Sequence, residues 1–168
     1  MGDAEKGATA EASLQKETAA LIEAGEPRRH RLRLLVAEGD PDSRVVLQGL
    51  LSKYGECRIA GNGREAVEAF RSARQEGRAY DLICMDIHLP EMDGQEAVYA
   101  IRSIEEHEKL YSSRRVKIFM TADIRNMRAF SVTASFKALC DARLFKPIYA
   151  AKLDEHLRSC GLVGHGQS

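Results

Sequence analysis

The chain has 168 residues, about one domain's worth, and its 25 basic residues balance its 25 acidic ones. Zero net charge removes the electrostatic case for a nucleic-acid or membrane-surface partner, and no apolar run approaches the roughly 20 residues of a membrane helix. Cys57, Cys84, Cys140 and Cys160 are widely spaced with no CxxC pair, which argues against a zinc site or a disulfide framework.

The opening stretch, "MGDAEKGATAEASLQKE", carries acids and lacks the apolar core of a signal peptide. Together with free cysteines this predicts a soluble protein of the reducing cytoplasm. Residues 1–31 are rich in Ala, Glu and Lys, with one helical stripe (Leu14, Thr18, Leu21, Ile22) stopped by Gly25 and Pro27. One short stripe cannot bury itself, so this segment is expected to be an extension, partly helical or disordered. A docking or dimerisation helix is the sharper alternative, and "PRRHRLR" reads as a basic, solvated linker.

From residue 32 two hydrophobic periods alternate. "LRLLVA" (32–37) reads as a strand. "DSRVVLQGLLSKY" (42–54) reads as a helix with Val45, Val46, Leu50 and Leu51 on one face, stopped at Gly55. "CRIA" (57–60) is a short strand, and 64–75 a helix with Val67 and Phe70 inward. "DLICM" (81–85) is a continuous apolar strand, as expected when both faces are covered. A helix over 95–107, a strand over 116–121, a weaker helix over 127–140, a strand over 142–145 and a last helix over 149–160 complete the series. Five β-α units predict a doubly wound parallel sheet with helices on both faces, in three layers, over residues 32–162, with 163–168 as a tail.

In such sheets binding sites form just beyond the carboxyl ends of the strands. Strand one ends in Glu38, Gly39 and Asp40; strand three at Asp86; strand four at Thr121; strand five at Lys146-Pro147. Each has an ordinary reading. Asp40 or Asp42 can cap the first helix, Thr121 is a β-former, and Lys146 can be a solvated side chain. On one rim, however, they bring together the groups that phosphoryl chemistry needs. A carboxylate can attack phosphorus, a hard cation such as Mg²⁺ relieves the repulsion between anions, a lysine adds a point charge, and a threonine hydroxyl can donate to a phosphoryl oxygen. Pro90 and Gly94 would shape the loop over the site.

Four segments, "LLVAEGDPDSR", "DLICMDIHLPEMDG", "IFMTAD" and "LFKPI", occur in the order found in one family, and over about residues 32–162 the chain resembles the receiver domain of two-component response regulators. The resemblance implies a flavodoxin-like fold with strand order 2-1-3-4-5. It implies Asp86 as phosphoacceptor, charged by a histidine kinase or a histidine phosphotransfer protein. Glu38, Asp86 and the backbone carbonyl of His88 would hold Mg²⁺, Thr121 would be the switch hydroxyl, and Lys146 the lysine that contacts the phosphoryl group, with a Lys-Pro bond that is commonly cis in the family.

Three positions depart from the family. Gly39 stands where a second acid is usual; Asp40, one residue on, could reach an ion only through water and is not an equivalent ligand. Arg143 replaces the usual switch aromatic. His88 and Asp123 occupy the two variable positions flanking the phosphoryl group, where a histidine can position or exclude water.

The leading expectation is a single-domain response regulator that signals by protein contact, since "GLVGHGQS" is too short for an effector domain. The alternative is a pseudo-receiver, a phosphorylation-independent binding module, which Gly39 and Arg143 favour. An enzyme is disfavoured. An aspartate-nucleophile phosphatase would carry a second aspartate at position 88, and "AEGDPDS" and "GNG" (61–63) lack the glycine spacing of a nucleotide loop.

Overall fold

The computed structural model describes residues 31–110, 114–126 and 134–164. The chain divides into two units at residue 31, and the second holds every described residue. The expectations for residues 1–30, for 127–133 of the weaker helix and for most of the tail fall outside the described residues.

Five parallel strands form one sheet in the order β2-β1-β3-β4-β5. They are β1 (Leu32–Ala37), β2 (Gly55–Ala60), β3 (Leu82–Asp86), β4 (Lys117–Asp123) and β5 (Ala142–Lys146). The helices between and after them are α1 (Pro41–Leu51), α2 (Gly63–Gln75), α3 (Gly94–His107), α4 (Ala134–Lys137) and α5 (Ala150–Ser159).

The sheet is buried on both faces, and the alternation of side chains along each strand sorts its residues into two cores. Leu35, Ala37, Ile83, Met85, Ile118 and Met120 pack against α2 and α3, whose Val67, Phe70, Val98 and Ile101 face inward, and against Phe136 of α4. Leu34, Val36, Leu82, Cys84, Phe119 and Leu144 pack on the other face against Leu47 and Leu51 of α1 and Leu153 and Leu157 of α5. The three-layer order inferred from the sequence is the observed one.

The first helix differs from expectation. It starts at Pro41, with Asp40 as its cap, and its buried residues are Leu47 and Leu51, one turn apart. Val45 and Val46 are 71% and 53% exposed. Four apolar residues in a short window fit more than one helical stripe, and the face chosen is the one that meets β1. Gly55 opens β2 rather than ending the helix, and β4 runs two residues further than predicted, to Asp123. All four cysteines are free, with Cys84 buried.

Candidate functional site

Side-chain parity builds the site. Val36, Cys84, Phe119 and Leu144 all face the α1/α5 core. Two residues further along each strand, on the same face, lie Glu38, Asp86, Thr121 and Lys146. Each strand therefore carries a polar group out of the same apolar layer to the same rim, and Asp86 and Thr121 are register partners across β3 and β4.

The groups meet. Lys146 Nζ lies 2.6 Å from Glu38 Oε2 and 2.9 Å from Asp86 Oδ2, bridging two carboxylates that are both buried. The remaining oxygens accept backbone hydrogen bonds: Asp86 Oδ1 from the His88 N–H and Glu38 Oε1 from the Asp40 N–H, both at 3.1 Å. Thr121 Oγ1 is buried and has no hydrogen-bond partner among the described residues. The Lys146-Pro147 bond is cis.

Burial pushes the Glu38 carboxyl above its ordinary range; Lys146 opposes this and the neighbouring Asp86 adds to it. Burial by itself would lower the Lys146 ammonium, but the two carboxylates outweigh it and the net shift is upward. The lysine is thus held charged between anions.

The loop after β3 explains the proline and glycine that follow Asp86. The Gly94 N–H donates to the Ile87 carbonyl at 3.1 Å, and a Cβ at position 94 would lie 2.0 Å from the Asp86 carbonyl oxygen. Only glycine permits that approach, which folds the loop back onto the strand end. Asp93 and Glu96 then start α3 with a reciprocal capping box. The "GNG" turn braces the same loop. The Gly63 N–H donates to the Met92 carbonyl at 3.2 Å, where a Cβ would come within 2.2 Å, and the Asn62 amide reaches Glu91 at 3.4 Å. The three residues carry no local sign of this brace, because nothing local says which loop they will touch.

The other candidates lie as follows. Asp40 is exposed and caps α1, its Oδ2 accepting from the Ser43 N–H at 2.9 Å and from the Ser43 hydroxyl at 2.7 Å, which holds it below the usual carboxylate range. Its Oδ2 thus serves the helix. Gly39 leaves real space: a Cβ there would lie 3.4 Å from Pro90 Cδ and 3.7 Å from the His88 carbonyl oxygen. The His88 side chain is exposed. Asp123 pairs with Arg125, whose side-chain and backbone N–H groups hold its carboxyl down to about 2. Arg143 is exposed on β5 and lines a hollow with Phe145, Tyr149, Lys152 and His156.

The donor set fits Mg²⁺ at its lower bound. The ion is usually held by one or two carboxylates, keeping several waters and taking substrate phosphate oxygens. Glu38 and Asp86 supply two carboxylates, and the placement of Gly39 shows that the His88 carbonyl faces the acid-bearing loop. No group of three His, Cys, Asp or Glu side chains able to hold a metal exists among the described residues.

A parallel 2-1-3-4-5 sheet with this rim defines the receiver class of signalling domain. The response regulator receiver domain model matches residues 34–158, and the chain belongs to that family. Over 153 residues it is 31% identical to the sensory/regulatory protein RpfC of Xanthomonas campestris, covering 88% of this chain and 20% of that protein. Other curated relatives are histidine kinases of rice and Dictyostelium, of which the chain spans 8% and 4%. Among solved structures, the Saccharomyces cerevisiae Ssk1 receiver, crystallised with the phosphotransfer protein Ypd1, superposes with a TM-score of 0.61 at 26% identity, covering 79% of this chain and 90% of that one. The receiver of the sensor kinase PA1611 from Pseudomonas aeruginosa gives 0.61 at 25% identity, covering 77% and 98%, and has magnesium in its active-site cleft. No helix among the described residues is long and apolar enough to cross a membrane.

Proposed function

We propose that the protein takes a phosphoryl group on Asp86 from a histidine kinase or a histidine phosphotransfer protein and signals by phosphorylation-dependent protein contact. The observation that carries this reading is the Lys146 ammonium held 2.9 Å from the Asp86 carboxylate, in register with a buried, unpartnered Thr121 hydroxyl. A buried hydroxyl without a partner is costly; an incoming phosphoryl oxygen would satisfy it.

An Asp86 oxygen attacks the phosphorus of a phosphohistidine; the P–O bond forms as the P–N bond breaks, and the electron pair stays on the imidazole nitrogen. Lys146 shifts its contact from carboxylate to phosphoryl oxygen, and the Thr121 hydroxyl donates a hydrogen bond to another. Glu38, Asp86 and the His88 carbonyl would hold Mg²⁺, which when bound neutralises phosphoryl charge. Drawing Thr121 and Lys146 inward repacks the ends of β4 and β5, a two-state element biased by one local charge.

A macromolecular donor needs a surface beside the pocket. Val46, Ile124 and Ile148 line a hollow with Asp40 and Lys146, and Val46 and Ile124 are each 53% exposed.

The test is incubation with a small phosphodonor such as acetyl phosphate and Mg²⁺. An acyl-phosphate label is expected, lost in Asp86→Ala and on chelation. A label that persists in Asp86→Ala would overturn the reading. Absence of label on the folded wild-type protein would favour the second reading, a phosphorylation-independent binding module, for which Gly39 in place of a second acid is the supporting observation.

A further inference from the structure

The acid-bearing loop has a weak point and a brace. Gly39 follows Glu38 directly, and glycine leaves a backbone freer than any other residue does. Yet the peptide that Gly39 shares with Asp40 has work to do, because the Asp40 N–H donates to Glu38 Oε1 at 3.1 Å and so aims the carboxylate.

Arg44, on the first turns of α1, reaches back across this loop. Its Nε donates to the Glu38 carbonyl at 2.6 Å and its Nη2 to the Gly39 carbonyl at 3.0 Å. The base of the side chain is firm, since the Arg44 N–H donates to the Asp40 carbonyl at 3.0 Å within the helix start. A planar guanidinium meets two successive carbonyls as a fork, which a lysine cannot do. The Gly39 carbonyl and the Asp40 N–H belong to one rigid peptide plane, so fixing the first fixes the second.

We propose that Arg44 is a positioning residue: by gripping the Glu38 and Gly39 carbonyls it sets the Gly39–Asp40 peptide plane, and through that plane's N–H it aims the Glu38 carboxylate at Lys146. The geometric part stands alone; its effect on labelling rests on the phosphorylation of Asp86 proposed above.

The test compares wild type, Arg44→Gln, Arg44→Lys, Gly39→Ala and Arg44→Gln/Gly39→Ala by amide hydrogen exchange at Asp40, urea stability and acetyl-phosphate labelling rate. Loss of a charged hydrogen-bond pair is expected to speed Asp40 exchange about tenfold in Arg44→Gln, and to a similar extent in Arg44→Lys, which keeps the charge but loses the fork. Labelling slows by about the same factor. Alanine at 39 restricts the same peptide, and its Cβ would make ordinary contacts with the Pro90 ring at 3.4 Å, the His88 carbonyl oxygen at 3.7 Å and the Leu89 side chain at 3.9 Å. It is therefore expected to restore Asp40 protection and labelling in the double variant while changing little alone. Unchanged Asp40 exchange in both Arg44 variants overturns the proposal, as does a loss of stability that Gly39→Ala leaves unrescued in exchange. If the wild type takes no label, the exchange data still decide the role of Arg44, and only the phosphorylation reading fails.

Discussion

Thr121 and Lys146 show at the residue scale how a site differs from a core. The Thr121 side chain fills a buried place on the sheet, yet its hydroxyl is left without a partner among the described residues. Thr121→Val removes the unmet polar group at nearly constant shape and is expected to stabilise the protein by about 1 kcal/mol, read as a raised urea midpoint, while weakening any conformational response to phosphorylation. Lys146 is the opposite case, because its removal leaves two buried carboxylates facing each other. Breaking a buried pair costs about 3–5 kcal/mol, and since the Lys146 side chain is 20% exposed a loss near the low end of that range, about 3 kcal/mol, is expected for Lys146→Met at pH 7. The sign of the pH effect follows from Glu38. Its raised folded value stabilises the native state below its ordinary 4.5 and is lost as pH rises through the folded value. The deficit of Lys146→Met should therefore shrink when urea unfolding is repeated at pH 5. In the wild type, the raised value of Lys146 contributes stability below 10.5 that disappears above its folded value.

At the scale of elements, the sheet has two differently built ends. The carboxyl ends of the strands hold the site, and the amino ends of β4 and β5 are closed by a buried ionic staple. Arg102 of α3 donates to Glu105 at 2.7 Å, to the Val116 carbonyl at 2.9 Å and to the Leu139 carbonyl at 2.8 Å and 3.0 Å, while Glu105 accepts from the Val116 N–H at 2.7 Å. Glu105→Ala leaves the Val116 N–H without its acceptor, while the Arg102 guanidinium keeps the Asp141 carboxylate at 3.5 Å and its backbone carbonyls, so stability is expected to fall by about 2–3 kcal/mol. Labelling of the folded fraction should be unaffected, since the staple lies at the opposite rim, and comparison of urea curves with labelling rates checks both halves. The staple was not legible beforehand: Arg102 and Glu105 read as ordinary surface charges of an amphipathic helix until β5 packs beside β4.

At the scale of the whole molecule, the two cores divide the labour. The α2/α3 side packs the larger set of apolar residues among those described, whereas beside the α1/α5 side, at the carboxyl ends of the strands, lies the hollow around Val46 and Ile124. A surface used only by a protein donor should matter only to that donor. Val46→Asp is expected to slow phosphotransfer from a histidine phosphotransfer protein about tenfold, the effect of losing one well-packed interface side chain, and to leave acetyl-phosphate labelling unchanged. Equal loss with both donors would mean that Val46 acts on the pocket itself rather than on docking.

Local pattern alone determined a good deal about this protein. The alternation of periods dictates five β-α units, strand parity sends Glu38, Asp86, Thr121 and Lys146 to one face, and "DLICMDIHLPEMDG" carries the family resemblance. Tertiary structure decided what depends on approach between segments distant in the chain. It chose Leu47 and Leu51 over the valines as the buried stripe of α1, laid Gly63 against Met92, and brought Arg102 of α3 to the Leu139 carbonyl. Periodicity is a property of one element and can be read from that element, whereas a hydrogen bond between two loops exists only once the sheet has set their distance.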